Sequence, residues 1–244
     1  MCAELLHLPE PGRIDNNRCR ACPTRGVCLV ADSDASQVER LPEYFHCIES
    51  VSVAEHLYHA GDTAQAQYHV RSGMIKTYVI NAEGDEYVTG FYLPGEIVGH
   101  VHMDGRHAES AVALETASVC ELTSEAVGGL AQLGLAPALI NHLAANASIE
   151  VRHQINLKQT SAQARFAGFC VTMGERLRRL GRSPEHIPTP MSRTDLASYL
   201  GMTLESLSRV ISKLHTAGVI HASRDHIQVV QVDTLNTLGL HANT

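Results

Sequence analysis

The chain has 244 residues, enough for two domains each with its own core. Its apolar content of 44% is that of a globular protein, not a disordered one. No apolar run approaches the roughly 20 residues that a bilayer demands. Residues 1–13 also lack the basic-then-apolar pattern of a secretion signal. These features predict a cytoplasmic protein with no membrane partner, whose seven cysteines stay reduced and are more often ligands than disulfides.

A net charge of −7 argues against nucleic-acid binding until its distribution is considered. From Cys170 onward 8 Lys and Arg face 6 Asp and Glu, a net of +2, against −9 for everything before. A mildly basic C-terminal module on an acidic body suits a small contact area on DNA.

Residues 1–30 read as an irregular segment, with Pro, Asn and Arg around Cys19, Cys22 and Cys28. Between 48 and 125, short apolar stretches alternate with turn signals such as Ser72-Gly73, Glu83-Gly84-Asp85 and Pro94-Gly95. That rhythm predicts an all-β sandwich or barrel. Residues 138–160 lack Gly and Pro and carry Leu139, Leu143, Ala147, Val151 and Ile155 at four-residue steps. The pattern predicts an amphipathic helix of roughly 35 Å. Its long, narrow stripe suits a seam between two copies of the chain, or packing against its own barrel. Another helix is expected over 162–181, then a loop over 182–190 with three prolines.

Ser192 opens an S-x-x-D capping signature for a helix through Leu200. Gly201-Met202-Thr203 makes the turn, with Thr203 capping a second helix. Leu204, Leu207, Ile211 and Leu214 form its inward stripe. Glu205, Ser208, Arg209 and Ser212 fall at i, i+3, i+4 and i+7 on the other face. Arg209 can donate twice to guanine, Glu205 can accept from cytosine, and Ser208 can reach either base type. A hairpin around Ser223-Arg224-Asp225 completes a winged helix-turn-helix, the reader of double-stranded DNA.

The thiols suggest a second chemistry. Cys19, Cys22 and Cys28 form C-x2-C-x5-C, and Cys120 lies far downstream on a predicted strand. Iron–sulfur clusters and structural zinc both use such sets, and spacing does not separate them. Cys120 is the candidate fourth ligand, with a buried core cysteine as its alternative. Cys2, Cys47 and Cys170 stand isolated and read as bystanders. No phosphate-binding glycine loop or nucleophile–base motif points to an enzyme. An iron–sulfur electron-transfer protein is the competing reading from another class, and the helix-turn-helix opposes it.

Together these features resemble the FNR (fumarate and nitrate reduction regulator) branch of the CRP/FNR superfamily. The likeness rests on Cys19-x2-Cys22-x5-Cys28, on Gly84-Asp85-Glu86 with Thr89-Gly90-Phe91, on Leu114-Glu115-Thr116 before Cys120, and on Glu205-x-x-Ser208-Arg209. The resemblance implies an α+β chain with four parts. They are a cysteine-bearing segment (1–30), a cyclic-nucleotide-type β jelly roll (31–130), a dimerisation helix (135–162) and a winged helix-turn-helix (163–244). It implies that Cys19, Cys22, Cys28 and Cys120 ligate an oxygen-labile 4Fe–4S cluster. The cluster-loaded homodimer would bind an inverted repeat of TTGAT-type half-sites, read by Glu205, Ser208 and Arg209. The exposed Gly84-Asp85-Glu86 turn would contact RNA polymerase. Glu150 would act as a dimer switch beside Leu143 and Ala147, its charge opposing association near the two-fold axis. Cyclic-AMP binders carry Arg-Ser where this chain has Glu109-Ser110, so no cyclic nucleotide is expected. Pro23 and the nearby Arg18, Arg20 and Arg25 depart from the best-known relative and would tune oxygen reactivity.

Overall fold

The computed structural model describes residues 19–41 and 44–239. Within them, eight strands make a two-sheet sandwich: β1 (His46–Val51), β2 (His56–Tyr58), β3 (Ala66–Ser72), β4 (Ile75–Ile80), β5 (Glu86–Tyr92), β6 (Ile97–Val98), β7 (Ser110–Ala113) and β8 (Ala117–Thr123). One sheet has the order β1-β8-β3-β6 and the other β2-β7-β4-β5. Consecutive strands thus cross between sheets, except at the tight β4–β5 hairpin. That is the double Greek key of a jelly roll. The short strands β2 and β6 escape the sequence pattern, because two or three residues are too few to show alternation.

Alternation along β8 decides what each face meets. Val119 points into the sandwich with Val51, Val70 and Val98. Cys120 and Leu122 point outward, into a second apolar cluster with Leu29, Val38, Leu41, Leu130, Leu135 and Leu139. That outer cluster is covered by the 19–30 segment, by α1 (Ala35–Arg40) and by two helices that follow the sandwich, α2 (Ser124–Gln132) and the start of α3 (Ala136–Leu157). Asp34 caps α1 in a reciprocal box with Gln37, whose amide also donates to the Leu133 carbonyl at 2.7 Å.

Helix α3 matches the predicted long helix. Leu139 is buried at its start, while Leu143, Val151 and Ile155 of the predicted stripe are exposed, as is Ile140. The single chain therefore leaves an apolar stripe in water along most of this helix.

The third core belongs to the C-terminal part. It joins α4 (Ala162–Arg179), α5 (Arg193–Tyr199) and α6 (Leu204–Thr216) to Met74, Val88, Phe91 and Leu93 of the sandwich. A three-stranded wing has the order β10-β11-β9, from β9 (His186–Pro188), β10 (Ile220–Ala222) and β11 (His226–Val229). The 182–190 stretch expected as loop thus contributes an edge strand, where proline is tolerated. Helix α7 (Val232–Gly239) packs on α4. Gly168 and Gly239 permit this: a Cβ at Gly239 would sit 2.8 Å from the Gly168 nitrogen.

Polar groups fix the seam between the helix-turn-helix and the sandwich edge. Lys76 bridges Asp195 at 2.9 Å and Glu86 at 3.0 Å. The Val88 N–H donates to Ser198 Oγ, which donates to the Glu86 carbonyl. Tyr199 stacks on His153 of α3 with centroids 3.8 Å apart. Buried Arg176 of α4 donates through Nε to Glu96 at 2.7 Å and through Nη2 to the Phe91 carbonyl.

Candidate metal centre and nucleic-acid interface

The N-terminal thiols come together with Cys120 because a short segment lies down on the outer sheet face. Backbone turns at Cys22–Arg25, Thr24–Val27 and Arg25–Cys28 carry the chain from Cys22 to Cys28. Val27 then presses against Gly95. A Cβ there would lie 2.9 Å from Val27 Cγ2, and the φ of 92° also requires glycine. Cys19, Cys28 and Cys120 all pack on the outer apolar cluster. The side chain of His142, on α3, meets the backbone of Cys28 and Gly95.

Burial pushes the Cys19 thiol up to about 11, helped by the neighbouring Cys47 and Cys22. Burial also pushes Cys28 up to about 12. Cys120 is raised further by its hydrogen bond with Cys47 and by burial, with Arg71 pulling the other way. Such thiols are poor thiolates alone and need a metal's positive charge to deprotonate. Among the described residues, no three His, Cys, Asp or Glu side chains are arranged to hold a single metal ion. A set of four cysteine sulfurs is one that iron–sulfur clusters and structural zinc both accept.

Cys47, isolated in sequence, is not isolated in space. Cys47 is the direct partner of Cys120 across β1 and β8, and the two sulfurs lie 2.8 Å apart. Strand register made this neighbour, and spacing in sequence carries no trace of it. Cys170 is buried in the helical core, away from the other thiols in sequence and in a different apolar cluster. Cys2 lies outside the described residues. Arg71 of β3 is a second group the sequence did not reveal. Its guanidinium reaches the Cys22 thiol and stands near Cys47 and Cys120, while also pairing with Glu49 at 3.2 Å.

Glu150 does not stand alone on α3. His100 bridges it to the sandwich, with Nε2 2.7 Å from Glu150 and Nδ1 2.8 Å from buried Glu109. The hydrogen bonds that His100 donates to the Glu109 and Glu150 carboxylates raise its pKa to about 10. The chain Glu150–His100–Glu109 continues to the Thr89 hydroxyl. It lines a cavity of about 200 Å³ with Glu96, Arg176 and Tyr92. Ala147 and Leu143 are both exposed on the same helix.

At the other end, the capping signatures form as expected. Ser192 and Asp195 make a reciprocal box, and Thr203 Oγ1 accepts from the Ser206 N–H at 3.1 Å. In α6, Leu207, Ile211 and Leu214 are buried, joined by Val210. Leu204 departs from the predicted inward stripe: it is 47% exposed, at the first position of the helix. Glu205, Ser208, Arg209 and Ser212 are all exposed, and Arg209 pairs with Glu205 at 2.5 Å. Ser208, Arg209, Ser212, Lys213 and Thr216 line one open groove. Lys213 and the exposed Arg224 at the wing tip add positive charge beside this face. A basic residue at a hairpin tip was the signal for Arg224.

The sequence pattern of the Crp-like helix-turn-helix domain matches residues 164–238, and that of the cyclic nucleotide-binding domain matches residues 48–132. The chain is 30% identical over 228 residues to the fumarate and nitrate reduction regulatory protein of Escherichia coli K12, covering 91% of this chain and 90% of that one. The chain belongs to the CRP/FNR family of transcription regulators. Electron transport regulator A of Shewanella oneidensis is 30% identical over 232 residues, covering 92% and 91% of the two chains. Among solved structures, FixK2 from Bradyrhizobium japonicum matches with a TM-score of 0.70 and 27% identity, over 80% of this chain and 98% of that one. The CRP/FNR assignment makes the chain a DNA-binding regulator, not an enzyme. Among the described residues, no helix is long and apolar enough to cross a membrane.

Proposed function

We propose that this regulator senses oxygen through a 4Fe–4S cluster held by Cys19, Cys22, Cys28 and Cys120, working in the reducing cytoplasm. The observation that carries the reading is the packing of Cys19, Cys28 and Cys120 against one apolar cluster that also contains Leu139 of α3, with Cys22 beside them on Arg71. The cluster, when bound, supplies an oxygen-reactive centre. The protein's own part is to tie the N-terminal segment to β8 and, through His142, to α3. Loss of the ligands would free that segment and change how α3 is presented.

The exposed apolar stripe of α3 is the proposed seam of a homodimer. Pairing sets two α6 helices about 34–36 Å apart, one DNA turn, on an inverted TTGAT-type repeat. Glu205, Ser208, Arg209 and Ser212 read bases. The Arg209–Glu205 pair, exposed on both sides, opens at little cost when each side chain turns to its base. Glu150, beside Ala147 and Leu143, is the proposed dimer switch, and His100 offsets part of its charge. Shifting a two-state population from 1:99 to 99:1 takes about 5.5 kcal/mol, within reach of a few such contacts. The Gly84-Asp85 hairpin tip remains the proposed polymerase contact. Glu86 is less available for it, since its side chain and carbonyl hold Lys76 and Ser198. No cyclic nucleotide belongs in the cavity. Glu109 and Glu96 would repel its phosphate, and Arg176 is committed to Glu96.

Anaerobic purification with iron and sulfide analysis, followed by air titration monitored by sedimentation, tests this. We expect four irons per chain, bleaching in air, and a shift from dimer to monomer. A colourless protein with stoichiometric zinc would overturn the cluster. Glu150→Ala is expected to raise the cluster-free dimer fraction, and an unchanged monomer would remove Glu150 from the switch.

A further inference from the structure

We propose that Cys47 is a resolving thiol: it captures oxidised Cys120 as a disulfide and so keeps this ligand recoverable after the cluster is lost. The proposal rests on the cluster reading for its consequence, but the disulfide rests on geometry alone.

Cys47 and Cys120 are register partners on the antiparallel strands β1 and β8. Directly opposed residues of such a pair have Cα atoms about 4.5–5.5 Å apart, inside the 4.4–6.8 Å window of disulfides. Partners share a face, and the two sulfurs already lie 2.8 Å apart. Closing the bond thus needs no strand movement. The two thiols also differ in access. Cys120 is half-buried at the edge of the thiol site, whereas Cys47 lies in the apolar cluster behind it. An oxidant meets Cys120 first, and Cys47 is the nearest second thiol. Neither Cys19, Cys22 nor Cys28 has a strand partner that fixes it against Cys120 in this way.

The oxidant is hydrogen peroxide, in two steps. Cys120 reacts through its minor thiolate form, which the nearby Arg71 favours: its sulfur attacks peroxide, the O–O bond breaks, and the released hydroxide takes up the thiol's proton, giving a sulfenic acid and one water. Cys47 then attacks the Cys120 sulfur, forming the S–S bond and releasing the hydroxyl with the thiol proton as a second water. The thiols lose two electrons and peroxide gains them. A sulfenic acid with no such partner goes on to sulfinic acid, which thiol reductants do not reverse. A disulfide is reopened by thiol exchange, so Cys120 returns as a ligand.

The test uses the full cluster-free chain, treated with peroxide and mapped by mass spectrometry without reduction. A Cys47–Cys120 link is expected, with two thiols lost and both regained on dithiothreitol. Untreated Cys47→Ala should take up as much iron and sulfide as the parent. After peroxide and then dithiothreitol, the parent should regain nearly all cluster loading, and Cys47→Ala less than half. Cys47→Ser provides the same comparison should the alanine variant pack poorly. Absence of the link, or equal recovery in parent and variants, would overturn the proposal. So would failure of untreated Cys47→Ala and Cys47→Ser to load, which would make Cys47 a ligand. If the untreated parent itself binds no iron and sulfide, the cluster reading fails, while thiol counts and mapping still judge the disulfide.

Discussion

The two ends of this chain encode their chemistry in different ways. The DNA-reading module is written locally: cap, turn, inward stripe and outward face all fall within 192–214. The thiol site is assembled at a distance, from a segment at 19–28, a strand at 46–51 and another at 117–123. A local code yields one answer per helix turn. An assembled site depends on register, and a one-residue slip of β8 would point Cys120 into the sandwich in place of Val119. The thiol site should therefore be all-or-none, and the reading face should be damaged in increments.

The largest expected effect tests that directly. Cys120→Ser should abolish cluster loading, read as iron and sulfide per chain after anaerobic reconstitution, while leaving the helix-turn-helix folded. Partial loading, around half, would mean that Cys47 or water substitutes, and that the site is less cooperative than its assembly suggests.

Leu207→Ala ranks next. Leu207 is completely buried near the start of α6, and a leucine truncated in a core costs about 2–5 kcal/mol. Thermal unfolding should report the loss. Leu204→Ala, three residues away and half in water, should cost under about 0.5 kcal/mol. Equal costs would show that the inward stripe begins one turn earlier when DNA is absent.

Much of the architecture could be read from residues, and the failures have physical reasons. The jelly roll's longer strands and both capped helices carry strong local signals: alternation, Gly-containing turns, Ser192 with Asp195, and Thr203. Helices α1 and α2 are short, so their periodicity spans too few turns. Cys47 was dismissed because it stands isolated in sequence, yet antiparallel pairing sets it against Cys120. His100 was invisible for the same reason: its partners come from β7's approach and from α3, nine and fifty residues on. Composition showed fifteen histidines without showing which one is an ion-pair bridge.

Arg209→Ala should cost about 1–3 kcal/mol of base discrimination, measured by competition between cognate and single-substituted half-sites. A uniform loss on every sequence would place Arg209 on phosphate and leave base reading to Glu205 and Ser208. Lys213→Ala should do the converse, weakening all sites alike and lowering the salt slope by about 1.

The last predicted effect concerns the joint between the two regions. His100 is held protonated by Glu109 of the sandwich and Glu150 of α3, with the Tyr92 ring beside it and His153, Glu96 and Arg176 lining the same cavity. Its folded pKa, about 10, lies above the unfolded value of about 6.5. A group raised on folding contributes fully below its unfolded pKa and loses that contribution as pH climbs through the folded one. The stabilisation should therefore be complete below about pH 6.5 and fade up to about pH 10. His100 is 43% exposed, so after solvent screening about 1 kcal/mol is expected. His100→Gln should flatten that slope in urea unfolding between those limits. It should also loosen α3 from the sandwich, seen as faster hydrogen exchange around Glu150. A slope unchanged by the substitution would mean that the bridge holds no charge, and Glu150 would then bring its full repulsion to the proposed dimer seam.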